Sequence, residues 1–133
     1  MITVQTIINA SIEKVWDFWT NPIHIVKWNN ASDDWHTPFA ENDLTADRRF
    51  KYSMAAKDGS MCFDFEGTYT KIEKHSKIEY ILDDERKVQI IFEATKNGIK
   101  LTESFDPENE NTEELQKNGW QAILDNFKKY VEQ

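Results

Sequence analysis

The rhythm of hydrophobic and polar residues changes twice along this chain. In "SIEKVWDFWT", residues 11–20, Ile12, Val15, Trp16 and Trp19 recur at the three- and four-residue spacing of one helical face. Ser11 stands where an N-cap is needed, and Glu13 favours the positive end of the helix dipole. "NPIHIVKW", residues 21–28, repeats the device with Asn21 as cap and Pro22 at the first helical position, so a short second helix is expected to turn off the first. The preceding "ITVQTIINA" is short and rich in β-branched residues, which predicts a strand.

From about 35 to 105 the period becomes two. In "RFKYSMAAKDGSMCFDFEGTYTKIE", Phe50, Tyr52 and Met54 share a face, Asp58 and Gly59 make a hairpin turn, and Met61, Phe63, Phe65, Gly67 and Tyr69 share a face on the return. "SKIEYILD", "KVQIIFEAT" and "GIKLTESF" predict further strands, with Ile78, Tyr80, Ile90, Phe92, Leu101 and Phe105 pointing inward. The product is a long antiparallel meander. Its last strand holds an anomaly, because the alternation sets Glu103 in line with Ile99, Leu101 and Phe105, and a buried acid needs a partner or a changed pKa.

The helical period then returns. A helix is expected over 112–131, with Asn111 and Glu114 spaced as a capping-box-like pair and an apolar stripe of Leu115, Gly119, Trp120, Ile123, Leu124, Phe127 and Val131. About 20 residues at about 1.5 Å rise span roughly 30 Å, the width of a small domain. Gly119 costs about 1 kcal/mol against alanine in a helix interior, so its place beside Trp120 suggests that space is needed there. A curved sheet around one helix has more inner surface than a single cylinder can fill. That geometry predicts an apolar cavity, against the competing arrangement of a solid core. The candidate lining is Trp16, Trp28, Phe50, Tyr52, Met54, Phe63, Phe65, Phe92, Gly119, Trp120, Ile123 and Leu124, with Glu103 as its acid.

Composition narrows the reading. A chain of 133 residues, 39% hydrophobic and without a linker or repeat, suits one domain over 1–133. Its 16 basic against 24 acidic residues give a net charge of -8, which repels polyphosphates and anionic lipid surfaces. The helical pair is therefore expected to pack rather than to enter a DNA groove, and neither nucleic acid nor membrane insertion is expected. The start lacks a basic region and a long apolar run, and a cytoplasmic location is expected. Cys62, the only cysteine, excludes an internal disulfide and reads as a buried small hydrophobe.

No nucleophile elbow, phosphate-binding loop or zinc-protease motif occurs, and four glycines are too few for a phosphate cradle. His24, His36 and His75 fall on different elements. Only His36 lies near carboxylates, in "SDDWHTPFAEND", where Asp33 and Asp34 read as a solvated loop. No catalytic residue, metal or cofactor is assigned. Glu103 is the best candidate for chemistry, as a general acid or as the group that orients a polar ligand atom, with a salt bridge to a strand Lys or Arg, or a register slip that places it in water, as the alternatives.

The segments "INASIEKVWDFWTNP", "KW", "ENDL…RRFKYSM…DG…FEGTYTKIEKHSKIEY", "GIKLT" and "NGW…ILDNFKKYVE" resemble, in order, the heat-shock-protein-90 ATPase activator homologue family. That family lies within the START-like, birch-pollen-allergen-like helix-grip superfamily. The resemblance implies an α+β fold in the order β-α-α-β6-α, a curved antiparallel sheet wrapped around a long C-terminal helix, and a cavity between them. It matches Gly119 and Trp120 to a glycine-tryptophan signature, and it implies a role in binding a small lipid-like or aromatic ligand. A chaperone-associated interaction domain of the stress response and a polyketide-cyclase-like enzyme using Glu103 or Tyr52 are the alternatives. Asp47 and Arg48 stand where many relatives have a glycine pair.

Overall fold

The computed structural model describes residues 1–133. The elements run β1 (Ile2–Ile8), α1 (Ile12–Thr20), α2 (Pro22–Trp28), β2 (Trp35–Asn42), β3 (Arg49–Ala56), β4 (Cys62–Glu73), β5 (Lys77–Leu82), β6 (Lys87–Thr95), β7 (Gly98–Phe105) and α3 (Glu113–Val131). All seven strands form one antiparallel sheet ordered β1-β7-β6-β5-β4-β3-β2. The meander from β2 to β7 is thus closed by β1 pairing with β7, and α1 and α2 carry the chain from one edge strand to the other. The sheet curls into a half-barrel around α3, the α+β helix-grip arrangement.

Local chemistry sets the helix ends. The Ser11 hydroxyl accepts the Lys14 N–H at 3.2 Å, and Asn21 accepts the Ile23 N–H at 3.1 Å ahead of Pro22. At α3 the cap is Thr112, not Asn111: its hydroxyl accepts the Leu115 N–H at 3.1 Å. The helix phase differs from the apolar stripe as well, since Leu115 is 58% exposed while Gln116 is 8% exposed. Gln116 is tolerated there because its amide is fully used. It accepts the Glu108 N–H at 2.8 Å and donates to the Asn111 carbonyl at 2.9 Å, tying the β7–α3 loop to the helix.

Two further positions depart from expectation. Cys62 is exposed, because it opens β4 at the far end of the hairpin where neither face is covered. The β2–β3 turn with Asp47 and Arg48 folds against β4, with the Asp47 N–H on the Tyr69 carbonyl at 2.7 Å. Asp47 takes the left-handed conformation, φ 72°, which short polar side chains tolerate better than most, so the turn forms without a glycine. Gly67 is where a missing side chain is obligatory: an added Cβ would collide with the Ile81 carbonyl of the adjacent strand.

The C-terminal half of α3 is closely packed against the first two helices. Leu124, Phe127 and Val131 are fully buried. Trp19 and Trp28 stack at 4.8 Å, and Phe127 meets both edge-on at 4.9 and 4.7 Å. The Asn126 amide donates to the Trp28 carbonyl at 2.7 Å, and Trp28 Nε1 donates to the Phe18 carbonyl at 2.9 Å, so all three helices are joined at this end.

Candidate functional site

The N-terminal half of α3 stands off the sheet and leaves a cavity of about 540 Å³. Of its 21 lining residues 13 are hydrophobic, so an occupant would meet a largely apolar wall. Trp19, Thr20, Trp28 and Asn29 form its inner end, while the exposed Met61, Glu110 and Asn111 mark its opening, with the half-buried Arg86 and Glu108. On the helix side Gln116, Trp120 and Ile123 face it.

Trp120 holds this gap open. Its indole stacks on Phe105 of β7 at 3.8 Å and 11° and meets Phe65 of β4 edge-on at 6.1 Å, so a bulky flat ring spaces helix from sheet. Gly119 lies on the partly exposed flank of the helix, and an added Cβ would meet nothing within 4 Å. The glycine is thus not a point of close contact with the sheet, and it lies outside the cavity lining.

Glu103 points to the inner face of β7, paired between Val4 of β1 and Ile90 of β6, and is 6% exposed. It forms no salt bridge with a strand Lys or Arg, and burial alone pushes its pKa up to about 8. No buried side-chain oxygen or nitrogen lacks a hydrogen-bond partner, so this unpartnered carboxyl is reached from the cavity that it lines. Tyr80 is near enough to feel it: burial first, and then the charge of Glu103, hold the Tyr80 phenol well above its ordinary pKa. Burial likewise raises Tyr52 and Tyr69, and the Tyr69 hydroxyl accepts the Asn42 amide at 3.4 Å. Near neutrality the inner wall therefore presents neutral phenols and a mostly protonated carboxyl.

Of the residues the sequence put forward, Trp28, Tyr52, Met54, Phe63, Phe65, Glu103, Trp120 and Ile123 come together around this space. Trp16, Phe50, Phe92 and Leu124 instead lie in the solid core. Trp16 packs on Phe92 at 5.1 Å, and Phe50 is enclosed by Tyr52, Tyr69 and Tyr80 at 5.2, 5.1 and 4.7 Å. The sequence reasoning did not place the other lining residues on the cavity, among them the aromatic Trp19, Tyr69 and Tyr80 and the polar Thr20, Asn29 and Gln116. Gln116 had a legible signal, since it sits four and seven residues before Trp120 and Ile123 on one helical face. His36 is exposed on β2, and no three His, Cys, Asp or Glu side chains converge as metal ligands.

The order of elements, the curled sheet and the cavity under α3 accord with the family that the sequence resembles, and a direct match decides it. The family model described as Activator of Hsp90 ATPase homolog 1-like protein matches residues 9–132. The chain belongs to this family. It is similar to the AHSA1-like protein from Aeromonas hydrophila, whose solution structure has 45% sequence identity and a TM-score of 0.92, covering 98% of this chain and 91% of that one. A protein from Cytophaga hutchinsonii, also solved in solution, has 53% identity and a TM-score of 0.86, with the same coverage. A Nitrosomonas europaea protein shares the fold at 15% identity, with a TM-score of 0.81 over 97% of this chain and 92% of its own. No curated protein sequence matches the chain. Proteins of this helix-grip fold commonly bind ligands, and no helix here is long and apolar enough to cross a membrane.

Proposed function

We propose that this AHSA1-family chain binds a small, mostly apolar ligand, aromatic or lipid-like, in the cavity between α3 and the sheet. The observation that carries the reading is an apolar space of about 540 Å³ whose wall holds one buried carboxyl without a protein partner. A solid core would have no use for such an acid, whereas a ligand with one polar atom gives it a role. The phenols of Tyr52, Tyr69 and Tyr80 and the carboxyl of Glu103 offer a few fixed polar contacts in an aromatic wall, a common division of labour in ligand pockets.

Native mass spectrometry of freshly purified protein, followed by thermal denaturation with naphthalenemethanol, tests this. A small molecule that co-purifies, or a probe that stabilises the fold by about 2.7 kcal/mol at 100 times its dissociation constant, is the expected result. A chain that carries nothing and is unaffected by naphthalene-sized probes would contradict the reading.

A further inference from the structure

We propose that the cavity selects an organic cation, an aromatic or alicyclic body carrying a protonated amine that pairs with the Glu103 carboxylate. This rests on the reading of the cavity as a ligand site and narrows it to one charge class. Glu103 is 6% exposed, faces the cavity and has no cationic partner in the protein. Folding has already buried the carboxyl, so the cost of the pair is the desolvation of the incoming amine and the removal of the carboxyl proton. Tyr80 lies beside the carboxyl, and Trp120 stacks on Phe105, two residues along the same face of β7. Aromatic faces attract ammonium groups.

Charge points the same way. The charged lining residues are Glu103, Glu108, Glu110 and Arg86, and the Arg86 guanidinium is held at the β5–β6 turn by Asp84, with Nε 2.7 Å from the carboxylate. The whole chain carries -8, so its field draws cations toward the opening and repels carboxylates. A fatty acid would set two acids together in a place where even one is disfavoured. A neutral hydroxyl could hydrogen-bond to Glu103 but would leave the charge attraction unused.

Proton release distinguishes these cases. The ionisable groups facing Glu103 across the cavity are Tyr52 of β3, Tyr69 of β4 and Tyr80 of β5, with Arg86, Glu108 and Glu110 at the opening. Beside it β1 and β6 present Val4 and Ile90, and α3 presents Gln116, Trp120 and Ile123. The tyrosines are held protonated above their ordinary range, so pairing with an amine ejects the proton of Glu103 itself.

Isothermal titration of the full chain near neutral pH, in two buffers of different ionisation heat, with naphthylmethylamine, naphthalenemethanol and naphthoate provides the test. The amine should bind about tenfold or more tighter than the alcohol, with naphthoate weakest, and only the amine should release close to one proton. Glu103→Gln should erase the amine's advantage, bringing amine and alcohol to within about twofold of each other. An alcohol or naphthoate that binds as tightly as the amine, amine binding without proton release, or an amine preference that survives Glu103→Gln would overturn the assignment. If the variant does not fold, the wild-type ranking and proton count decide alone. Failure of all three probes to bind would remove the ligand cavity and this assignment with it, whereas binding of the alcohol alone overturns only the charge class.

Discussion

The two halves of α3 face the same sheet and do opposite things. Toward the C-terminus, Leu124, Phe127 and Val131 are fully buried, and Phe127 locks against Trp19 and Trp28. Toward the N-terminus, Leu115 is 58% exposed, Gln116 is occupied with the β7–α3 loop, and Trp120 spaces the helix from β7. One end supplies stability, and the other forgoes burial to keep space open. A single amphipathic helix can serve both because its apolar stripe is continuous while its distance from a curved sheet is not.

The largest effect should come from cutting the packed end. Phe127→Ala removes a fully buried ring that touches two tryptophans and should cost about 3 to 5 kcal/mol in chemical denaturation. Phe63, 47% exposed near the cavity opening, is its counterpart, and Phe63→Ala should stay within about 0.5 kcal/mol of wild type. Similar losses at the two sites would erase the distinction between the ends.

Glu103 comes next. Its folded-state pKa of about 8 lies above the ordinary 4.5, so the folded chain holds this proton more tightly than the unfolded chain does. That contribution is fully present below about pH 4.5 and is lost as pH rises through about 8. Each pH unit in the window should remove up to about 1.4 kcal/mol. Glu103→Gln should flatten the profile and leave the variant the more stable protein at the alkaline end, by roughly 1 to 3 kcal/mol. Denaturation of both proteins across this range checks it, and parallel profiles would mean that Glu103 is solvated.

How much of this could be read from the chain follows the same division. The period-two alternation placed Glu103 on the inner face, and β7 alternates between half-buried and buried positions along its length with Glu103 among the buried ones. The capping residues Ser11 and Asn21 and the order of elements were legible because each depends on neighbours in sequence. Cavity membership was not, because Phe50 and Tyr52 share a face of β3 and only the curl of the sheet puts Phe50 into the core and Tyr52 on the cavity. The start of α3 misled for a related reason: Leu115 is apolar and Gln116 is not, although Gln116 has the inward phase, and a loop, not an apolar surface, covers that turn. Cys62 is apolar enough for a core, yet it lies where the hairpin outruns its cover.

The smallest effect concerns Gly119. With nothing within 4 Å of an added Cβ, Gly119→Ala should raise stability by about 0.5 to 1 kcal/mol through helix propensity alone. Because the residue lies outside the lining, probe affinity should change by less than about twofold, where about 0.4 kcal/mol is the corresponding free energy. Destabilisation would show a sheet contact at this position, and a large loss of affinity would extend the cavity to it.

The most direct measurement of the central claim, an open apolar ligand site under the N-terminal half of α3, is a solution NMR titration of the isotopically labelled chain with naphthylmethylamine. Shifts should concentrate on Ile78, Ile90, Trp120, Ile123 and Met54, which line the cavity, and should spare Leu124 and Val131 in the packed half. A binder whose shifts fall on the exposed face of the sheet, or equally on both halves of α3, would contradict the account.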